Sequence, residues 1–196
     1  KYNVGSNTIV GYEALCRWHN PTRGLVSPVM FIPIAEENGV IIQLDRLVFS
    51  QVCAQIQQWQ QQGRMRGRVA VNLSVQQLQQ PDLLDFLQQE LQHYQLDASL
   101  LELEITESVV MDEPKMVIEA LNRLKSYGIK VAIDDFGTGQ SSLAYLKQLP
   151  VHEIKIDRAF IQGFTSPNGT LIAETIVNLG QKLGLATIAE GIETQA

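Results

Sequence analysis

Lys130-Val131-Ala132-Ile133-Asp134-Asp135-Phe136-Gly137 is a short β-branched, apolar run that ends in two adjacent carboxylates and a turn. A run of this length bounded by turn residues reads as a buried strand. A carboxylate at the end of such a strand is costly unless it is paired or bound to a metal. The same form recurs along the chain. Strands are expected at Val69-Ala70-Val71-Asn72-Leu73, Leu101-Glu102-Leu103-Glu104-Ile105, Glu153-Ile154-Lys155-Ile156 and Ala186-Thr187-Ile188-Ala189-Glu190, with one more over Thr8 to Ala14, making six. Helical spacing fills the intervals. Val117, Leu121 and Leu124 recur at steps of four and three before Gly128, and Leu171 to Leu183 runs up to Gly184. Val48, Val52, Ile56 and Trp59 mark a helix with a glutamine-rich opposite face, followed by Gly63. Glycine just past each helix is the usual C-terminal stop.

Alternating strands and helices imply right-handed crossovers and a parallel sheet, either open or closed into a barrel. No GxGxxG or GxxxxGK[ST] follows any strand, which removes the commonest signatures of the open nucleotide-binding sheets. The polar residues favour the barrel. Glu13, Asn72, Glu104, Asp134 and Glu190 each fall at or near the end of an expected strand, and Lys155 takes the same place on another. In a parallel barrel the strand C-termini open on one face, so residues far apart in sequence converge there. Any one of them alone is most simply a solvated charge beside a loop; six coincidences on strands that are otherwise mostly apolar point to a site.

Carboxylates with one asparagine carbonyl are hard oxygen donors suited to Mg²⁺ or Mn²⁺. His19, His93 and His152 lack metal-ligand spacing and read as surface or loop residues. With Asp134 and Asp135 adjacent, one points into the mouth and bridges two ions while its neighbour leaves at a different angle, which suits two-metal phosphoryl displacement. Lys155 either holds the attacking hydroxide or neutralises phosphate charge; a salt bridge among the carboxylates is the plainer alternative, and the two are compatible. Asp135 to Ser142 contains two glycines and reads equally as a structural turn or as a gate, with Ser141 or Ser142 capping the helix after it. Glu107, three residues beyond Glu104, reads as a capping or loop-anchoring carboxylate.

At 196 residues the chain fits one domain. Its formal charge of −6 argues against a nucleic-acid duplex as partner, while metal ions between carboxylates and phosphate still permit a small phosphorylated ligand. No run approaches the roughly 18 apolar residues of a membrane span, and no leader pattern opens the chain. Cys16 and Cys53 have no CxxC spacing and read as small buried hydrophobes in a reducing cytoplasm.

Glu13-Ala14-Leu15 with Arg17-Trp18 resembles the signature of the EAL-domain cyclic di-GMP phosphodiesterases. Asn72-Leu73-Ser74, Glu104-Ile105-Thr106-Glu107, Asp134-Asp135-Phe136-Gly137-Thr138-Gly139, Lys155-Ile156-Asp157 and Ala189-Glu190-Gly191-Ile192-Glu193 match the same family in order. The resemblance covers nearly the whole chain. It implies a TIM-like (β/α) barrel and hydrolysis of cyclic di-GMP to linear pGpG with Mg²⁺ or Mn²⁺, and Ca²⁺ is expected to inhibit. It makes Glu13, Asn72, Glu104, Asp134, Asp135 and Glu190 the metal ligands. Lys155 would orient the catalytic water with Glu193 in support, Arg17 and Leu15 would meet the substrate, and Glu107 would hold the loop beginning at Asp135, which the family uses at its dimer interface. Cys16 stands where the family usually has a second leucine, and Gln140 where it often has an aromatic. Family barrels have eight strands, so six imply a domain over residues 1–196 that is truncated before the first strand and after the seventh, and that is either less stable and less active than a chain extended at both ends or a cropped view of a longer polypeptide. Sensory or GGDEF domains are the expected attachments, and membrane anchoring would come from such domains. A receptor that binds cyclic di-GMP without cleaving it, or a module that only dimerises, are the competing readings; the intact ligand set favours the enzyme.

Overall fold

The computed structural model describes residues 1–112, 114–138, 143–162 and 167–192. The chain forms two compact units, Lys1–Leu103 and Glu104–Ala196, and the division falls inside one strand.

In the first unit, β1 (Tyr2–Asn3) and β2 (Thr8–Ile9) form a small antiparallel hairpin, and β3 (Gly11–Ala14) follows after Val10. The single strand expected over Thr8 to Ala14 is therefore two. The Val10 N–H donates to the Lys1 carbonyl at 3.0 Å, which continues the hairpin pairing of Tyr2 with Ile9 by one residue. A second hairpin, β4 (Trp18–Asn20) and β5 (Gly24–Val26), forms where the sequence marks no strand. Asn20 closes its turn, the side-chain oxygen accepting the N–H groups of Thr22 and Arg23, both at 3.0 Å.

Helix α1 (Pro28–Glu37) also escaped the periodicity reading, because Pro33 lies inside it. Its start is nonetheless conventional, with extended Ser27 before a proline at the first helical position. Helix α2 (Ile41–Gln61) buries Phe49, Val52, Cys53 and Ile56. β6 (Arg68–Asn72) then pairs parallel with β3, from Gly11 opposite Arg68 to Ala14 opposite Val71. The strands approach closely where the loop enters: at Gly67, φ +67°, an added Cβ would fall 1.6 Å from the Val10 carbonyl oxygen. Short α3 (Val75–Leu78) and α4 (Leu83–His93) return the chain through a 3-10 turn at Ala98–Leu100 to β7 (Leu101–Thr106).

The second unit begins at Glu104. It continues through α5 (Glu107–Asp112), α6 (Pro114–Ser126), β8 (Lys130–Phe136), α7 (Leu143–Leu146), β9 (Glu153–Ile156), α8 (Arg158–Gln162), α9 (Pro167–Leu183) and β10 (Ala186–Ala189). The strand order is β10-β9-β8-β7, with β9 parallel to both neighbours. Val117, Leu121 and Leu124 are the buried face of α6, as their spacing predicts, and each contributes roughly 1.5–3 kcal/mol by leaving water. Gly128 ends that helix with φ +88°. Five of the expected strands are present and the sixth, over Thr8 to Ala14, is divided in two; the alternation of strands with helices is that of the α/β class. Among the described residues no helix is long and apolar enough to cross a membrane.

Candidate active site

β8 does not stop at Asp134. It runs to Phe136 through an irregularity between Ile133 and Phe136, where Asp135 takes a left-handed backbone, φ +53°. In a regular strand two adjacent side chains would leave on opposite faces. With this break, Asp134 and Asp135 each present an oxygen to a common cluster with Glu190, within 4.8 Å of one another. The Asp135 N–H also donates to its neighbour's Oδ1 at 2.9 Å. The two aspartates thus act together rather than diverging.

Lys155, on β9, is 1% exposed. Its ammonium lies 2.8 Å from Glu104 Oε2, 2.8 Å from Glu190 Oε1 and 3.1 Å from Asp134 Oδ1. Burial alone would lower its pKa, but the surrounding carboxylates more than offset that and hold it above the ordinary lysine value. The salt-bridge reading of Lys155 is therefore realised. Glu104 is equally buried, at 1%, and Asp134 at 9%; these are interior groups, deeper than strand-end carboxylates facing solvent.

Asp135 is pushed up to about 6, first by burial, then by the charges of Asp134, Asp157 and Glu190 and by a hydrogen bond with Asp157. Negative charge is in surplus here, and the donors are all hard oxygens, so the cluster fits a divalent cation of the Mg²⁺ or Mn²⁺ type. Asp157 is a further acid at this cluster, beyond those that the sequence motifs assign a role. It follows β9 at the same strand-end position that singled out the other acids, and its Oδ1 also accepts the Ala159 N–H at 2.8 Å at the start of α8.

Glu107, 2% exposed, accepts the Gly137 N–H at 2.7 Å. The hydrogen bond reaches the turn directly after the two aspartates. Glu193, Gln140, Ser141 and Ser142 lie outside the described residues.

In the first unit, Glu13 is half-buried on β3, and Asn72 is exposed at the end of the adjacent β6. Leu15 is 53% exposed. Arg17 is exposed and donates to the Cys16 carbonyl at 2.8 Å. It borders an apolar groove of about 540 Å³ walled by Trp18, Phe31, Ile34 and Leu44. Cys53 is buried as expected; Cys16 is not, because it lines this groove.

The EAL domain family profile matches residues 1–196. The chain is 41% identical over 189 residues to the bifunctional diguanylate cyclase/cyclic di-GMP phosphodiesterase MucR of Pseudomonas aeruginosa, covering 96% of this chain and 28% of that protein. It is 43% identical over 183 residues to the cyclic di-GMP phosphodiesterase NbdA of the same organism, covering 93% and 23%. The chain thus spans about a quarter of the length of these curated relatives. A solved structure described as the PaMucR phosphodiesterase in complex with c-di-GMP superposes with a TM-score of 0.91 at 40% identity, covering 96% of this chain and 77% of that one.

Proposed function

The chain belongs to the EAL-domain family, and we propose that it hydrolyses cyclic di-GMP to linear pGpG using Mg²⁺ or Mn²⁺ in a two-metal site. The observation that carries this reading is the oxygen cluster of Asp134, Asp135 and Glu190 around the buried Lys155, in a chain over 40% identical to named cyclic di-GMP phosphodiesterases.

Glu13, Asn72, Glu104, Asp134, Asp135 and Glu190 are the proposed ligands. When bound, a divalent ion polarises the phosphodiester and acidifies water. Lys155 and Glu193 orient the water, Arg17 and Leu15 meet the substrate, and Glu107 keeps the Gly137 turn in place. The groove beside Arg17 suits such a ligand, with apolar walls for a base and a guanidinium for phosphate. Ca²⁺ inhibits, since its looser coordination occupies carboxylates without the geometry that Mg²⁺ enforces. The proposal also includes a homodimer through the loop after Asp135, sensory or GGDEF domains in the whole protein, and action in the cytoplasm.

Purified protein incubated with cyclic di-GMP after chelation, then with Mg²⁺, Mn²⁺ or Ca²⁺ restored, tests the reading. Linear pGpG is expected with Mg²⁺ or Mn²⁺ only. Tight binding without turnover in any metal would instead identify a receptor.

A further inference from the structure

We infer that the Lys155 ammonium is a built-in counter-cation, which holds Glu104, Asp134 and Glu190 together before metal loads and weakens the affinity of the same cluster for metal. The inference rests on the metal-site reading above but concerns the unloaded protein.

Three carboxylates that crowd into an interior repel one another, and without a cation the arrangement would spread or take up protons. Lys155 supplies that cation from within the fold, touching all three at 2.8–3.1 Å. Two of its partners, Asp134 and Glu190, are also the two acids whose oxygens gather with Asp135. The lysine and an incoming divalent ion therefore draw on the same oxygens. Lys155 itself is 1% exposed on a strand paired on both sides, so it is not free to swing into water when an ion arrives. The two cations must share partners and repel, and the lysine buys a pre-shaped site at the cost of weaker metal binding.

The charge balance gives the direction and size of the effect. Deleting one positive charge that shares two carboxylates with a divalent ion should tighten binding at least about tenfold, even with strong screening. Losing it should also destabilise the metal-free protein, because the buried Glu104 and Asp134 and the half-buried Glu190 are left without their ammonium.

Mn²⁺ binding by calorimetry and thermal melting, with and without Mn²⁺, on wild type, Lys155→Met and Lys155→Arg, reads both consequences. Lys155→Met is expected to melt well below wild type without metal, to regain most of the loss in Mn²⁺, and to bind Mn²⁺ at least about tenfold more tightly. Lys155→Arg, which keeps the charge, should stay close to wild type in Mn²⁺ affinity. Should Lys155→Met fold only when purified in Mn²⁺ and collapse on chelation, that also supports the inference. If it folds in neither state, Lys155→Gln is measured in its place against the same expectations. A wild type that binds Mn²⁺ with an affinity the neutral variant does not improve overturns the counter-cation role and leaves the phosphodiesterase reading standing. A wild type that binds no Mn²⁺ overturns both.

Discussion

The Glu107 carboxylate accepts the backbone N–H of Gly137 at 2.7 Å, tying the first residue of α5 to the turn that follows Asp134 and Asp135. Glu107→Ala leaves that amide without its acceptor, a loss of about 1–3 kcal/mol, and loosens the turn beside the aspartates. Weaker Mn²⁺ binding and a lower urea midpoint are expected together. Glu107→Gln, which keeps an acceptor oxygen, should recover most of both, whereas equal damage in the two variants would assign the role to the charge.

Glu13 and Glu104 are both proposed ligands, yet their surroundings differ. Glu104 is 1% exposed and paired with an equally buried lysine, so Glu104→Ala should cost about 3–5 kcal/mol by leaving part of a buried charge uncompensated. Half-buried Glu13 should cost under about 1 kcal/mol. Turnover of cyclic di-GMP is expected to vanish in both variants, and urea denaturation to separate them.

Asp45 accepts the N–H and the hydroxyl of Ser74 through one oxygen, at 3.1 and 2.6 Å. Burial nevertheless raises its carboxyl above the ordinary 3.8, with Ser74 opposing and Glu36 adding to the rise. A carboxyl raised in the folded state binds its proton more tightly there than in the unfolded chain. Its contribution to stability is full below the unfolded value and is lost as pH climbs through the folded one. Asp45→Asn should therefore flatten the decline in stability as pH rises from about 3.8, read as urea midpoints at stepped pH. A decline identical to wild type would remove Asp45 as its source.

Cys53 is fully buried, and burial, aided by Glu90, pushes its thiol up to about 12. Half-exposed Cys16 lines the groove. A thiol-reactive chromogen should titrate Cys16 alone in the native protein and both cysteines in urea, since the thiolate is the reactive form. Cys16→Ser should abolish the native signal, and its survival would mean that the α2 core opens readily.

Strand positions were legible because the apolar run Val131 to Ile133 and the alternation of charged and β-branched residues over Glu153 to Ile156 have few other uses, and α6 because its buried face follows helical spacing. Helix α1 was hidden by Pro33, although Ser27-Pro28 gave its start. The hairpin of Trp18 to Val26 is too short and too exposed to carry a period. The candidate site was legible as a set of strand-end acids, but not in its depth. Nothing in one dimension distinguishes Glu104, sealed against Lys155, from Glu13 at half burial. Nor does the sequence announce the left-handed backbone at Asp135, which brings adjacent side chains into one cluster. Asp157 followed the same positional rule as its neighbours and lacked only an assigned role.

Gly63 and Gly67 bracket one loop and share nearly the same positive φ, 63° and 67°. The space around them differs: a side chain at 63 would meet nothing within 4 Å, whereas one at 67 would strike the Val10 carbonyl. In a saturation library the two sites should diverge sharply. Position 63 should return asparagine and aspartate alongside glycine, since both tolerate this backbone. Position 67 should return glycine alone, because the spacing between the strand that bears Glu13 and the strand that ends in Asn72 is kept by an atom the chain omits.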